Sequence, residues 1–281
     1  MPPDTARELI AEARRGLEAA GIDTAALDAR LLLQHAAGLA HEEIVADPGR
    51  EIGDGEAKRF RQWVARRMAR EPVARILGER EFHGRGFEVT PAVLDPRPDT
   101  ETLVDAALAL RPAPRRLLDL GTGSGAIVVT LLVEWPEATG IATDLSAAAL
   151  AVAARNAQRH GVNGRVDFIH GNWFEDIAGR FDLIVSNPPY IPLGEIAGLA
   201  ADVRDFDPPQ ALDGGPDGLE AYRHIATGAG SHLESHGAVL VEIGAGQGEA
   251  VEAIFRAAGL ICRDRALDLG GHLRCLGFRQ A

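Results

Sequence analysis

Cysteine is scarce in this chain: Cys262 and Cys275 are the only two, 13 residues apart. That spacing matches neither a disulfide framework nor a paired-cysteine zinc motif, so a reduced, cytoplasmic protein without structural metal is expected. No stretch approaches the ~18 consecutive apolar residues of a membrane span. The opening MPPDTARELI carries Asp4 and Glu8 and has no apolar core of a secretory signal, so neither membrane insertion nor export is expected. Cations are short as well: 29 Lys and Arg face 41 Asp and Glu, a net charge of −12. This balance argues against a sequence-independent grip on a phosphate backbone, which needs clustered positive charge. What is present, 46% hydrophobic and 25% charged residues over 281 positions, suits two modest domains or one large α/β domain with an appendage.

The charge is unevenly placed. Residues 1–75 hold 12 basic and 13 acidic side chains, against 17 and 28 in residues 76–281. The front segment also reads as helical. Ala6, Leu9, Ile10, Ala13 and Leu17 recur at helical spacing before Gly21. Asp23 or Thr24 can cap a second helix carrying Leu27, Leu31 and Leu32, closed by Gly38. A third stretch places Phe60, Trp63, Val64 and Met68 on one side, as core, and Pro72 ends it. Its other face carries Lys58, Arg59, Arg61, Arg66, Arg67, Arg70 and Arg75 against Glu71 alone. Such a face is either solvated or a dock for an acidic or RNA-associated partner. Residues 1–75 are therefore read as a helical bundle.

Residues 80–90 suggest two short strands around Gly84-Arg85-Gly86, a hairpin linker in which His83 is ordinary surface. From Pro96 onward, strand and helix patterns alternate, which predicts right-handed crossovers and a mostly parallel sheet covered on both faces. Its first strand, Leu117–Leu120, runs into Gly121-Thr122-Gly123-Ser124-Gly125 and a helix. Glycines there let a ligand approach main-chain N–H groups at a helix start, the nucleotide position of a doubly wound sheet. With Ala126 the spacing also satisfies the dinucleotide fingerprint, so the loop alone leaves the cofactor open. Asp144, ending the second strand, is placed to accept both hydroxyls of an adenosine ribose, and Trp173, after the third, to flank an adenine. His170 is read as packing.

The fourth strand, Phe181–Ser186, delivers Asn187-Pro188-Pro189-Tyr190. Consecutive prolines stiffen the backbone and remove two N–H donors. The Asn187 side-chain oxygen and the Pro188 carbonyl then form an acceptor pair for a planar NH₂ group, with Tyr190 packed against it. Hydride transfer has no use for such a pair, so the arrangement resembles an S-adenosylmethionine-dependent amino-group methyltransferase.

Further segments narrow the target. Glu71–Phe82, Pro96-Arg97-Pro98-Asp99-Thr100-Glu101 with Thr102–Val104, Asp202-Val203-Arg204 with Phe206-Asp207-Pro208, and Ala211-Leu212-Asp213-Gly214-Gly215 with Asp217-Gly218-Leu219 resemble the peptide chain release factor N5-glutamine methyltransferase family. The resemblance covers roughly residues 70–280. It implies methylation of the Gln amide in the Gly-Gly-Gln loop of class 1 release factors, by a monomer whose helical domain (1–75) contacts the factor. A hairpin linker (76–95) and a methyltransferase domain (96–281), doubly wound around a seven-stranded Rossmann-like sheet, would follow. Gly121, Thr122, Gly123, Ser124, Gly125, Asp144, Trp173 and Asn187 would hold S-adenosylmethionine and release S-adenosylhomocysteine. Asn187, Pro188, Pro189 and Tyr190 would bind the glutamine, with Asn187, Pro188 and Tyr190 catalytic. Pro96–Glu101 would lie at the rim, Asp99 capping the next helix. Asp95 departs from the family, which is usually apolar there, so packing or rim charge differs. Gly244-Ala245-Gly246-Gln247-Gly248 is read as a turn rather than a second nucleotide loop. Two alternatives compete: an RNA or DNA amino-methyltransferase gripping through the basic helix, and a noncatalytic S-adenosylmethionine-binding adaptor.

Overall fold

The computed structural model describes residues 4–110 and 112–281. The chain falls into two compact units, one of residues up to Gly78 with Ala201–Phe206, the other of Glu79–Ala200 with Asp207–Ala281. In the first, the helix Ala6–Ala19 opens on a capping box, in which Thr5 Oγ1 accepts from the Glu8 N–H and Glu8 from the Thr5 N–H. Helices Ala25–Ala37 and Asp54–Met68 pack with it around Leu9, Leu17, Leu32, Leu33 and Phe60. Thr24 precedes the second helix without capping it; its hydroxyl donates to Asp28 instead.

Several expectations change here. Short helices His41–Ala46 and Val73–Leu77 and the antiparallel pair Asp4–Thr5 and Glu51–Ile52 join the bundle. They carry too few residues for a periodic signal. Met68 is exposed and Trp63 only half-buried, so the apolar stripe is narrower than read. The basic face is largely spent on internal contacts, and Arg70 and Arg75 lie beyond its helix. Arg67 forms a buried pair with Asp28 at 2.7 Å, Arg61 pairs with Asp4 at 2.8 Å, Arg66 with Glu71 at 2.5 Å, and Arg59 and Arg70 donate to the Ala36 and Ala20 carbonyls.

The second unit begins with the hairpin Glu79–Phe82 and Arg85–Glu88. Its turn is His83-Gly84, both at positive φ (50° and 71°), one residue earlier than the glycine pair suggests. A two-residue turn of this kind matches the strand twist. The main sheet has seven strands: β1 (Arg116–Leu120), β2 (Thr139–Asp144), β3 (Val166–His170), β4 (Phe181–Ser186), β5 (Leu233–Glu242), β6 (Leu260–Leu267) and β7 (Leu273–Gln280). Their order is β6-β7-β5-β4-β1-β2-β3, with β7 alone antiparallel to its neighbours.

Side chains alternate between two cores, as the two-residue period of a strand requires. Leu117, Leu183, Val185 and Leu240 face helices Glu101–Leu108 and Ala126–Glu134, whereas Leu118, Ile184, Val239 and Val241 face Glu220–His232 and Gly248–Ala257. Each fully buried aliphatic side chain contributes about 1.5–3 kcal/mol. The order in which strands are added to the sheet reverses between the parallel neighbours β1 and β4, so loops leaving their carboxyl ends diverge and open a crevice. Among the described residues no helix is long and apolar enough to cross a membrane.

Candidate active site

The crevice is an open cleft of about 120 Å³. Gly121–Ser124, Asp144, Asn187 and Pro189 line it, together with Pro96, Arg97 and Thr100 of the rim. Gly121, Gly123 and Gly125 all have positive φ. At Gly123 an added Cβ would meet nothing within 4 Å, so this side of the loop is open for a ligand to approach the backbone. Gly123 N–H donates to Asp144 Oδ2 at 2.9 Å, and Ser146 N–H to Oδ1 at 2.8 Å. These bonds orient the carboxylate on the cleft wall; burial raises its pKa and the two N–H groups oppose that shift. Ser146, not Asp144, caps the following helix, accepting from Ala149 N–H. Beneath the loop, Asp119 is fully buried, accepts the Thr122 hydroxyl at 2.7 Å and is pushed up to about 7 by burial.

Of the four residues after β4, Asn187 and Pro189 line the cleft, Pro188 is buried and Tyr190 half-buried. Asn187 Nδ2 donates to Thr100 Oγ1 at 3.0 Å; among the described residues no donor reaches its Oδ1. Tyr190 does not line the cleft; its ring packs on the core beside β5, and burial pushes its hydroxyl up to about 12. Its backbone is held from two sides. Gln247 Nε2 donates to the Tyr190 carbonyl at 2.9 Å, while Gln247 Oε1 accepts from Gly244 N–H at 3.0 Å. The Leu212–Gly215 segment runs alongside, exchanging main-chain bonds with Ile191 and Leu193. Thus Gly244–Gly248 is a turn, and its glutamine braces the motif.

Trp173 lies elsewhere than expected. It lines a neighbouring cavity with Asn172, Asp213, Glu220 and His224, stacks on His224 at 6.2 Å, and is not part of the cleft wall formed by Gly121–Asp144. Its φ of 52° is unusual for a bulky residue. Pro189 borders both cavities. His170 is exposed, its Nε2 meeting the Leu145 carbonyl at 2.9 Å, rather than packed. Asp99 does not cap the helix after it; it pairs with Arg274 at 3.1 Å, while Arg97 pairs with buried Asp207 at 2.6 Å. Asp95 is buried 3.8 Å from Arg80 Nε, so the departure at this position is absorbed by an internal charge pair.

Glu242 and Gln247 lie outside the expected site residues, and Thr100 is expected only as part of the Pro96–Glu101 rim. Glu242 was detectable in principle: a carboxylate ending the apolar run Ala238–Val241 must be buried at the sheet's carboxyl edge.

Solved structures share this architecture. The hMettl16 catalytic domain, determined with a MAT2A 3′UTR hairpin, matches with a TM-score of 0.59 at 16% identity, over 83% of this chain and 85% of that one. The ribosomal protein L11 methylase of Lactobacillus delbrueckii subsp. bulgaricus gives 0.51 at 20% identity, over 69% and 86%. A family model described as a methyltransferase small domain matches residues 98–198. The sheet-bearing unit thus shares the methyltransferase fold and matches a methyltransferase domain. A second model, the PrmC N-terminal domain, matches residues 8–78. The release factor glutamine methyltransferase of Agrobacterium fabrum is 48% identical over 279 residues (97% of this chain, 96% of that one), and that of Cereibacter sphaeroides 51% over 263 residues (94% of each). The chain belongs to the release factor glutamine methyltransferase family, whose members use S-adenosylmethionine.

Proposed function

We propose that this enzyme transfers a methyl group from S-adenosylmethionine to the side-chain amide nitrogen of the Gln in the Gly-Gly-Gln loop of class 1 release factors. The observation that carries the reading is the Asn187 side chain: its NH₂ is committed to Thr100, and its oxygen is left as an acceptor at the cleft. The cofactor fits the residues present. A carboxylate oriented by two backbone N–H groups suits a ribose diol, and the open face of Gly121–Gly123 admits the chain that carries the sulfur. Bound there, S-adenosylmethionine would supply an electrophilic methyl.

The chain's own contribution is orientation. An amide nitrogen is a poor nucleophile because its lone pair is delocalised. Accepting its two hydrogens at Asn187 Oδ1 and the Pro188 carbonyl leaves the lone pair aimed elsewhere, and such alignment is worth up to ~7–11 kcal/mol. As positive charge develops on nitrogen, both acceptors bind it more tightly than before. No base is required beforehand, since the proton is acidic once nitrogen is alkylated. Tyr190 contributes from beneath, as a neutral phenol. The helical domain and the linker through residue 95 would present the factor, in the cytoplasm, with the enzyme acting as a monomer. Trp173, in the neighbouring cavity, would reach an adenine only by turning its ring toward the cleft.

Incubation with purified release factor and mass-spectrometric location of the methyl group tests the reading. Methyl on the Gly-Gly-Gln glutamine is expected; incorporation into RNA or DNA alone, or none, would overturn it. For the cofactor site, Asp144→Ala removes hydrogen bonds to a charged acceptor worth about 1.5–3 kcal/mol each. S-adenosylmethionine affinity by calorimetry should fall by at least about 10²-fold; unchanged affinity would remove Asp144 from the site.

A further inference from the structure

Asn187 has an ambiguity that its geometry must resolve. A carboxamide presents an acceptor on one side and two donors on the other, and the halves are nearly equal in shape. With Oδ1 toward the cleft the residue receives a substrate NH₂; turned by 180° it opposes donors with donors. The neighbour that chooses is Thr100, whose Oγ1 receives Asn187 Nδ2 at 3.0 Å. A hydroxyl, however, can accept or donate, so Thr100 alone fixes nothing.

Behind Thr100 lies Glu242. The register Ser186↔Val241 between β4 and β5 brings Glu242, one residue on, level with Asn187. Glu242 is 2% exposed, and its Oε2 has no hydrogen-bond partner among the described residues. The Thr100 and Tyr190 side chains lie near the carboxylate, without a hydrogen bond to its Oε2, and favour its charged form. An ionised carboxylate only accepts. It draws the Thr100 hydrogen toward itself and leaves a Thr100 lone pair for Asn187 Nδ2. A protonated Glu242 can instead donate to Thr100, freeing the Thr100 hydrogen to meet Asn187 Oδ1 and allowing the flipped amide.

We propose that Glu242, acting through Thr100, is the positioning residue that sets which end of the Asn187 carboxamide faces the substrate. The inference rests on the reading of Asn187 as the acceptor of the glutamine amide. The groups facing the carboxylate are Thr100 and Asp99 from the rim, Tyr190 from the motif, Tyr222 from the covering helix, and Arg274 and Cys275 from β7. Arg274 favours the anion but is itself shared with Asp99, which opposes it; Tyr222 spends its hydroxyl on the Glu242 main-chain carbonyl at 3.0 Å. Burial dominates the balance and pushes Glu242 up to about 7, so its two forms exchange near neutral pH.

The test compares single-turnover methylation of release factor by the parent, Glu242→Gln, Thr100→Val, Thr100→Ser and Asn187→Ala between pH 6 and 9, with melting temperature and S-adenosylmethionine affinity as checks. The parent rate should fall about tenfold per pH unit below about 7. Glu242→Gln should lose that acid limb and run at least about tenfold slower at pH 8, because Gln can donate as well as accept. Thr100→Val, which keeps the shape, should lose a similar factor, and Thr100→Ser should recover most of it; both should bind S-adenosylmethionine as the parent does. The Thr100 pair carries the test should Glu242→Gln fail to fold. A parental rate in Thr100→Val, or an intact acid limb in Glu242→Gln, would overturn the relay. If Asn187→Ala alone is slow, only the relay fails; if Asn187→Ala is also parental, the reading of the acceptor site fails with it.

Discussion

Replacing Asn187 by Ala is expected to lower kcat for release factor methylation by about 10²–10³-fold, the loss seen when one preorganised partner of a developing charge is removed. The substitution takes away the one side-chain acceptor that the structure holds at the cleft with its amide committed to Thr100. KM for the release factor should change little, since the factor's grip would be spread over the helical domain and rim. S-adenosylmethionine affinity should fall only modestly, because Asp144 and the glycine loop would still hold the cofactor. Steady-state kinetics and calorimetry check both halves. A kcat within threefold of the parent would mean that the amide is oriented by something else.

The second large effect is expected at Gly214, which touches no proposed ligand. A Cβ there would sit 2.8 Å from the Tyr190 Cα and carbonyl carbon and from the Gly218 Cα, all backbone atoms that cannot swing aside. The glycine exists because the Leu212–Gly215 segment must run against the main chain of the motif, tied to Ile191 and Leu193 by backbone hydrogen bonds. Gly214→Ala should therefore push Tyr190 and, through it, Asn187 out of position. A displacement near 1 Å costs about 10²-fold in rate, and the overpacking about 1–3 kcal/mol in stability. The expected signature is a kcat at least tenfold lower, together with a reduced urea midpoint and a folded protein. Unchanged kcat would show that the loop yields without moving the motif.

Much of the site was legible in the sequence because its elements are local. A strand running into Gly-x-Gly-x-Gly and a helix can close in few ways, and an acid at the end of the next strand of a parallel sheet must arrive at the same edge. Asn187-Pro188-Pro189-Tyr190 announces its stiffness through its prolines. The surroundings of other residues are hidden in the sequence because their partners are remote. Tyr190 is expected against the substrate, and its half-buried ring packs on the core, where β5 ends at Glu242 and the turn after it carries Gln247, 52 and 57 positions away. Asp99 looked like a cap because it precedes a helix, but Arg274 from the last strand claims it. The basic helix reads as either a solvated face or a dock because the acids that neutralise it, Asp4 and Asp28, belong to other helices or strands.

The sequence by itself determined the alternation of strands and helices, the nucleotide-type loop, the carboxylate of Asp144 at the end of the second strand and the proline-stiffened motif at the end of the fourth. These follow from residue type and short spacing, where the covalent chain limits the geometry. Only the tertiary structure decided the strand order, the cavity that Trp173 occupies, and the polarity of the Asn187 amide. Each depends on which distant groups share a desolvated space, and hydrogen-bond direction in such a space is set by the neighbours that packing supplies.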